Sequence, residues 1–186
     1  PGDRYDIRNE NVTYDRMYEL NVFKNVKIEY NKSKDSSTVN PVLLLIPQKI
    51  MSNRIEGEVP FNNGTVGFTL SNTYTNNNLF RGAEKFEFQI KGGLQARLGQ
   101  GRSFINEIYQ RDFSVGATLT VPRLMIPFSR SRPGKGGMPH TIFSTSYVYA
   151  LQKDFFQRKV ILASVAYEFR ETSSKFHTVT PLNFGY

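Results

Sequence analysis

From Arg54 onward, apolar and polar residues alternate with a period of two, the signature of strands with one apolar and one polar face. In 54–61 the odd positions are Ile55, Gly57, Val59 and Phe61, while Arg54, Glu56 and Glu58 take the other face. In 65–75 Val66, Phe68, Leu70 and Tyr74 alternate with Thr65, Gly67, Thr69, Ser71 and Thr73. In 83–98 one face carries Phe86, Phe88, Ile90, Leu94 and Leu98, and the other Lys85, Glu87, Gln89, Lys91, Gln95 and Arg97. Phe113, Val115, Ala117, Leu119 and Val121 alternate with Ser114, Gly116, Thr118 and Thr120. The pattern predicts antiparallel strands at about 54–61, 65–75, 83–98, 112–121, 141–152 and 159–169, with a seventh near His177. Phe68, Leu70, Phe86, Phe88, Ile90, Val115 and Leu119 then share one surface, opposite Thr69, Lys85, Glu87, Lys91 and Thr118.

Residues 1–49 follow a different rule. Val12, Met17 and Leu20 form a partial apolar stripe, which predicts a helix over 11–20. Val22, Val26, Ile28 and Tyr30 begin a strand, the polar run 31–38 is a loop, and 39–46 is a second strand. A two-stranded sheet alone is marginal, so this unit reads as lacking its beginning.

Composition narrows the picture. The 186 residues carry a formal net charge of +8, and an apolar share of 39% excludes a disordered chain. Residues 1–49 hold eight basic and seven acidic side chains, so nearly all of the excess lies beyond them. A basic face with stacking aromatics, or a known nucleic-acid motif, is absent, which argues against nucleic acid as a partner. No cysteine is present, so disulfides and thiolate metal sites are excluded. The greasiest run, Val42 to Ile46, falls far short of the ~18 residues of a membrane-spanning helix. Pro1 opens the chain without a basic or apolar leader pattern, so the start reads as processed or truncated.

Alternation does not say which face meets water. A soluble sandwich or lipocalin-like barrel buries the apolar face as its core. A transmembrane barrel turns that face to lipid and the polar face to a lumen. Strands of ten residues or more, polar faces of Ser, Thr and Gly, and aromatics near strand ends (Phe61, Tyr74, Phe113, Phe128, Phe169) favour the membrane barrel. Against it stands the long basic segment 122–139, with Arg123, Arg130, Arg132 and Lys135, because periplasmic turns of bacterial barrels are short.

The junction of the two parts carries a resemblance. Pro1-Gly2-Asp3-Arg4-Tyr5, Thr13 to Leu20 and Val22-Phe23-Lys24-Asn25-Val26 resemble the second half of a POTRA domain, a periplasmic unit ordered strand, helix, helix, strand, strand. Asn76-Asn77-Asn78-Leu79-Phe80-Arg81-Gly82-Ala83-Glu84 is similar to a segment early in the barrel of the BamA/TamA outer-membrane assembly family. Residues 122–128 and 177–182 are similar to barrel segments of Bacteroidetes-type members. The resemblance implies a mainly β fold: a partial α+β POTRA-like unit over 1–49, then the N-terminal strands of an incomplete antiparallel transmembrane β-barrel over 50–186. It implies the bacterial outer membrane, with 1–49 periplasmic. It further implies assembly and insertion of outer-membrane proteins, or translocation, without cofactor. Partners would be unfolded outer-membrane protein clients, membrane lipids and accessory lipoproteins.

In that family the barrel seam lies between first and last strands, and a client strand pairs there. On this sequence the seam edge is Ile55, Glu56, Gly57, Glu58, Val59 and Phe61, and the lipid-facing set is the seven apolar residues named above. The family's C-terminal barrel half, with its Arg-Gly-Phe-type motif, is absent, so the chain is expected to be a fragment.

Catalytic chemistry finds no foothold. His140 and His177 are far apart and form no H-E-x-x-H pattern, and no metal set emerges. There is no G-x-S-x-G nucleophile elbow, as the barrel tail of a lipase-like enzyme would lead one to seek upstream. Gly134-Lys135-Gly136-Gly137 lacks phosphate-loop spacing and reads as a turn. Asn11-Val12-Thr13 and Asn63-Gly64-Thr65 match glycosylation sequons, which a bacterial location makes coincidental. The expectation is a non-enzyme without metal or cofactor; a soluble or secreted β-rich binding module is the alternative.

Overall fold

The structure of the protein, a computed structural model, describes residues 4–33, 38–62, 64–97, 108–125, 137–172 and 174–186. Leu98, Phe128, Arg130, Arg132, the Gly134–Gly136 stretch and the middle of segment 122–139 lie outside the described residues.

Helix α1 spans Ile7–Glu19, four residues earlier than the apolar stripe suggests. Asp6 sets the start: its carboxylate accepts the Arg8 N–H at 2.9 Å and caps the first turn. Such a cap needs no apolar residue, so periodicity alone misses it. Strands β1 (Phe23–Lys32) and β2 (Val39–Pro47) form an antiparallel two-stranded sheet. The helix lies along β1, where the Tyr14 hydroxyl accepts the Ile28 N–H at 2.9 Å and the Tyr18 hydroxyl that of Val26 at 3.4 Å. At its start, the Tyr5 hydroxyl donates to Glu10 at 2.7 Å, and that bond holds the phenol pKa up to about 12.

The rest is one antiparallel sheet. Its strands are β3 (Met51–Glu58), β4 (Phe61–Asn62), β5 (Thr65–Asn76), β6 (Lys85–Arg97), β7 (Ile108–Val121), β8 (His140–Gln152), β9 (Phe156–Thr172) and β10 (Lys175–Gly185). The order is β10-β9-β8-β7-β6-β5-β3, with β4 also on β5, so each long strand pairs with its sequence neighbour. The sheet is open, with free edges at β3 and β10 among the described residues. The fold is thus mainly β and antiparallel, with one short helix; the described residues do not close a barrel.

Registers carry the alternation across the sheet. Phe68 opposes Leu94, Phe88 opposes Ala117, Ile90 opposes Val115, and Phe86 opposes Leu119. Paired residues share a face, so the seven apolar residues predicted to lie together do so. None of the seven is buried: Phe68 and Leu70 are each 49% exposed and Ile90 41%, while Phe86, Phe88, Val115 and Leu119 are half-buried. Among the described residues only Val26, Ala96 and Val121 are buried apolar side chains. The chain exposes 14116 Å², where a compact chain of its mass exposes roughly 9,000 Å². This sheet has no core on its apolar side.

Two connections are built from side-chain-to-backbone hydrogen bonds. Between β5 and β6, Asn76 Oδ1 accepts the Asn78 N–H at 3.0 Å and Asn78 Oδ1 the Ala83 N–H at 2.9 Å. The Glu84 carboxylate takes the Gly82 N–H at 2.9 Å, and Asn76 and Glu84 are buried. After β7, Thr141 (0% exposed) donates to the Arg123 carbonyl at 2.7 Å and accepts the Met125 N–H at 2.8 Å. Thr141→Val keeps the shape and removes both bonds. Leaving those backbone groups unpaired is expected to lower unfolding stability by ~1–3 kcal/mol, measurable by urea titration, whereas Thr141→Ser should stay near wild type.

Candidate strand-pairing edge and polar trough

The predicted seam residues fall on the free edge of the sheet. The register runs unbroken from β3 through Val59–Pro60 into β4: Glu58 opposes Thr69 and Phe61 opposes Val66. At either end of this edge the Asn77 N–H donates to the Ile50 carbonyl at 2.8 Å, and the Gly67 N–H to the Pro60 carbonyl at 2.8 Å. Antiparallel ladders alternate bonded and non-bonded pairs. Even-numbered residues of this edge therefore bond to β5. The odd ones, Ile55, Gly57, Val59 and Phe61, turn their N–H and C=O groups outward, where no strand lies among the described residues.

Side chains divide the other way. Ile55, Val59 and Phe61 join the apolar surface and are exposed. Glu56 and Glu58 take the polar face, Glu56 at 3.9 Å from Arg54. The described edge thus offers main-chain donors and acceptors with flat apolar flanks, and no reactive group.

Pro60 lacks an N–H, and from the sequence alone that suggests pairing weakens toward this end of the edge. The register puts that gap on the β5 side instead, so the outward edge loses no donor. Gly67 opposite leaves room for the ring; a Cβ there would stand 2.9 Å from Pro60 Cγ.

The polar face is concave. A trough of about 510 Å³ crosses from β5 to β10, lined by Thr73, Glu87, Gln89, Thr118, Ser144, Ser164 and Asn183 among others. A depression shared by six strands requires the sheet to curl toward its polar side. Within that face Lys85 and Glu87 pair at 3.1 Å and the Ser144 and Ser164 hydroxyls meet at 2.7 Å. No described group of three or more His, Asp or Glu residues could hold a metal.

Of the predicted lipid-facing residues, Phe68, Leu70, Phe86, Phe88, Ile90, Val115 and Leu119 all stand on the convex side. Phe61, Tyr74, Phe113 and Phe169 share it. The strands predicted at 54–61 and 65–75 pair as neighbours, and Asn62 opposes Thr65 where the chain reverses. Gly64 holds φ +77 there, as such a turn demands. The sequence matches no protein-family profile, no curated protein and no solved structure. No described helix is long and apolar enough to cross a membrane, which says nothing of strands.

Proposed function

We propose that residues 50–186 form the N-terminal strands of an outer-membrane β-barrel of the BamA/TamA kind, and that residues 1–49 are the POTRA-like unit beneath it in the periplasm. The edge formed by β3 and β4 pairs with strands of unfolded outer-membrane protein clients during their insertion or translocation. No catalytic step is involved; the work is done by main-chain hydrogen bonds.

The observation that carries this reading is the direction of curl. A sheet in water wraps around its apolar face, because burial there yields ~25 cal/mol per Å². Here the sheet wraps around its polar face and leaves the apolar one convex and bare. Hydrocarbon solvent reverses the preference and accounts for both faces at once. Strand lengths agree: β5 to β9 have 12 to 17 residues, enough for the ~9–11 that cross a bilayer at a tilt. A binding module in water would need a partner over the whole convex surface. On this reading further strands lie between the β10 and β3 edges.

An unpaired strand edge is a template for another strand. Cysteines placed at Ile55, Gly57 and Val59 of the full-length protein should crosslink to the terminal strand of a stalled client, in a ladder of alternating positions. Crosslinks confined to the protein's own last strand, with stalled clients present, would sink the pairing role.

A further inference from the structure

A second site lies where the helical unit meets the sheet. A pocket of about 400 Å³ opens between the end of α1, the linker Gln48–Ile50 and the β5–β6 turn. Val22, Phe23 and Ile50 supply an apolar wall, and Lys49 and Arg81 line the same pocket. Neither cationic side chain has an ion pair or hydrogen bond among the described residues. The pocket is fixed rather than incidental: Asn77 donates through its backbone to Ile50 and through Nδ2 to the Lys49 carbonyl at 3.3 Å. Arg81 sits at φ +66, and Phe80 beside it is 67% exposed at the tip of the turn.

An apolar wall with a few convergent polar groups, at this size, is the usual make-up of a small-molecule site. Two unpaired cations add a preference for an anion. Two acids adjoin lining residues in the chain and both are engaged elsewhere: Glu84 holds the Gly82 N–H within the turn, and Glu19 accepts the Met138 N–H. The pocket also lies at the end of the sheet, where β3 begins and β5 ends, and a membrane boundary falls there on the reading above.

We propose that this junction pocket holds the headgroup of an anionic phospholipid, with Lys49 and Arg81 on the phosphate and the apolar wall along the glycerol and first acyl carbons. Phe80 enters the same leaflet as an interfacial anchor. The lipid would then pack against both the linker and the turn, joining the periplasmic unit to the barrel wall. This inference rests on the membrane reading, and its test separates the two.

The full-length protein in neutral detergent is titrated with dioleoyl-phosphatidylglycerol, dioleoyl-phosphatidylcholine and inorganic phosphate, and bound species are read by native mass spectrometry. Phosphatidylglycerol should bind in preference to phosphatidylcholine. The Lys49→Gln/Arg81→Gln pair should lose about 30-fold in that affinity, the size expected for two interfacial cations. Lys49→Arg/Arg81→Lys should retain it, as should Lys153→Gln/Lys159→Gln at the opposite end of the sheet. Equal loss in the two Gln pairs, no preference between the lipids, or inorganic phosphate binding as tightly as phosphatidylglycerol would overturn the site. Insertion into phosphatidylcholine vesicles, followed by heat-modifiable migration, reports on the membrane reading separately. Failure to insert defeats that reading; insertion without lipid preference defeats only the pocket.

Discussion

Ile90→Arg is expected to cost ~2–4 kcal/mol when the full-length protein is unfolded from lipid vesicles, while Gln89→Arg stays near neutral. The two residues are neighbours in the middle of β6 and differ only in face. Ile90 stands on the convex surface, 41% exposed beside Val115. Gln89 lines the polar trough, where a guanidinium keeps its water. In aqueous surroundings the ranking vanishes, because an already exposed isoleucine exchanges for arginine within about 0.5 kcal/mol. The comparison therefore reports on the solvent of the convex face. Equal effects of the two substitutions in a urea titration would reject a lipid-facing assignment.

Val59→Pro should slow client insertion on the order of tenfold, the worth of a hydrogen bond in a desolvated ladder. Val59 turns its N–H outward, so proline there removes a donor offered to the client and spares the bonds to β5. Glu58 is the contrast. Its backbone bonds to β5, so Glu58→Pro should weaken the sheet itself, whereas Glu58→Ala changes only a side chain on the polar face and should stay within about twofold. An insertion assay on full-length variants checks the order, with heat-modifiable migration confirming that Val59→Pro still folds. If Val59→Pro inserts clients at the wild-type rate, the edge is not the pairing template.

The strands, their order and their faces were legible in the sequence because side chains alternate strictly along a strand. A residue such as Phe88 declares its face through Glu87 and Gln89 beside it. Antiparallel pairing of sequence neighbours was legible with the strands, whereas the registers of β5 to β9, set across connections as long as 122–139, came only from the structure. The helix was legible only in part: the stripe Val12, Met17, Leu20 places it, but its first turn rests on the Asp6 cap. The segment from Asn76 to Glu84 stood out in the sequence only by its resemblance; that it is a turn, held by the hydrogen bonds of Asn78 and Glu84, came from the structure.

Other features needed the third dimension. Alternation is symmetric between a sheet that hides its apolar face and one that displays it, since both give the same period of two. The sign of the curl breaks that symmetry, and curl is a property of many strands together, seen here in a trough that no single strand encloses. Likewise the sequence marks Pro60 as a missing donor but not the side on which it is missing. That side depends on pairing phase, which the Gly67–Pro60 bond reveals. Lys49 and Arg81 stand 32 positions apart and share no pattern; the chain itself determined the strands, and folding of the linker against the turn brought those two charges to one pocket.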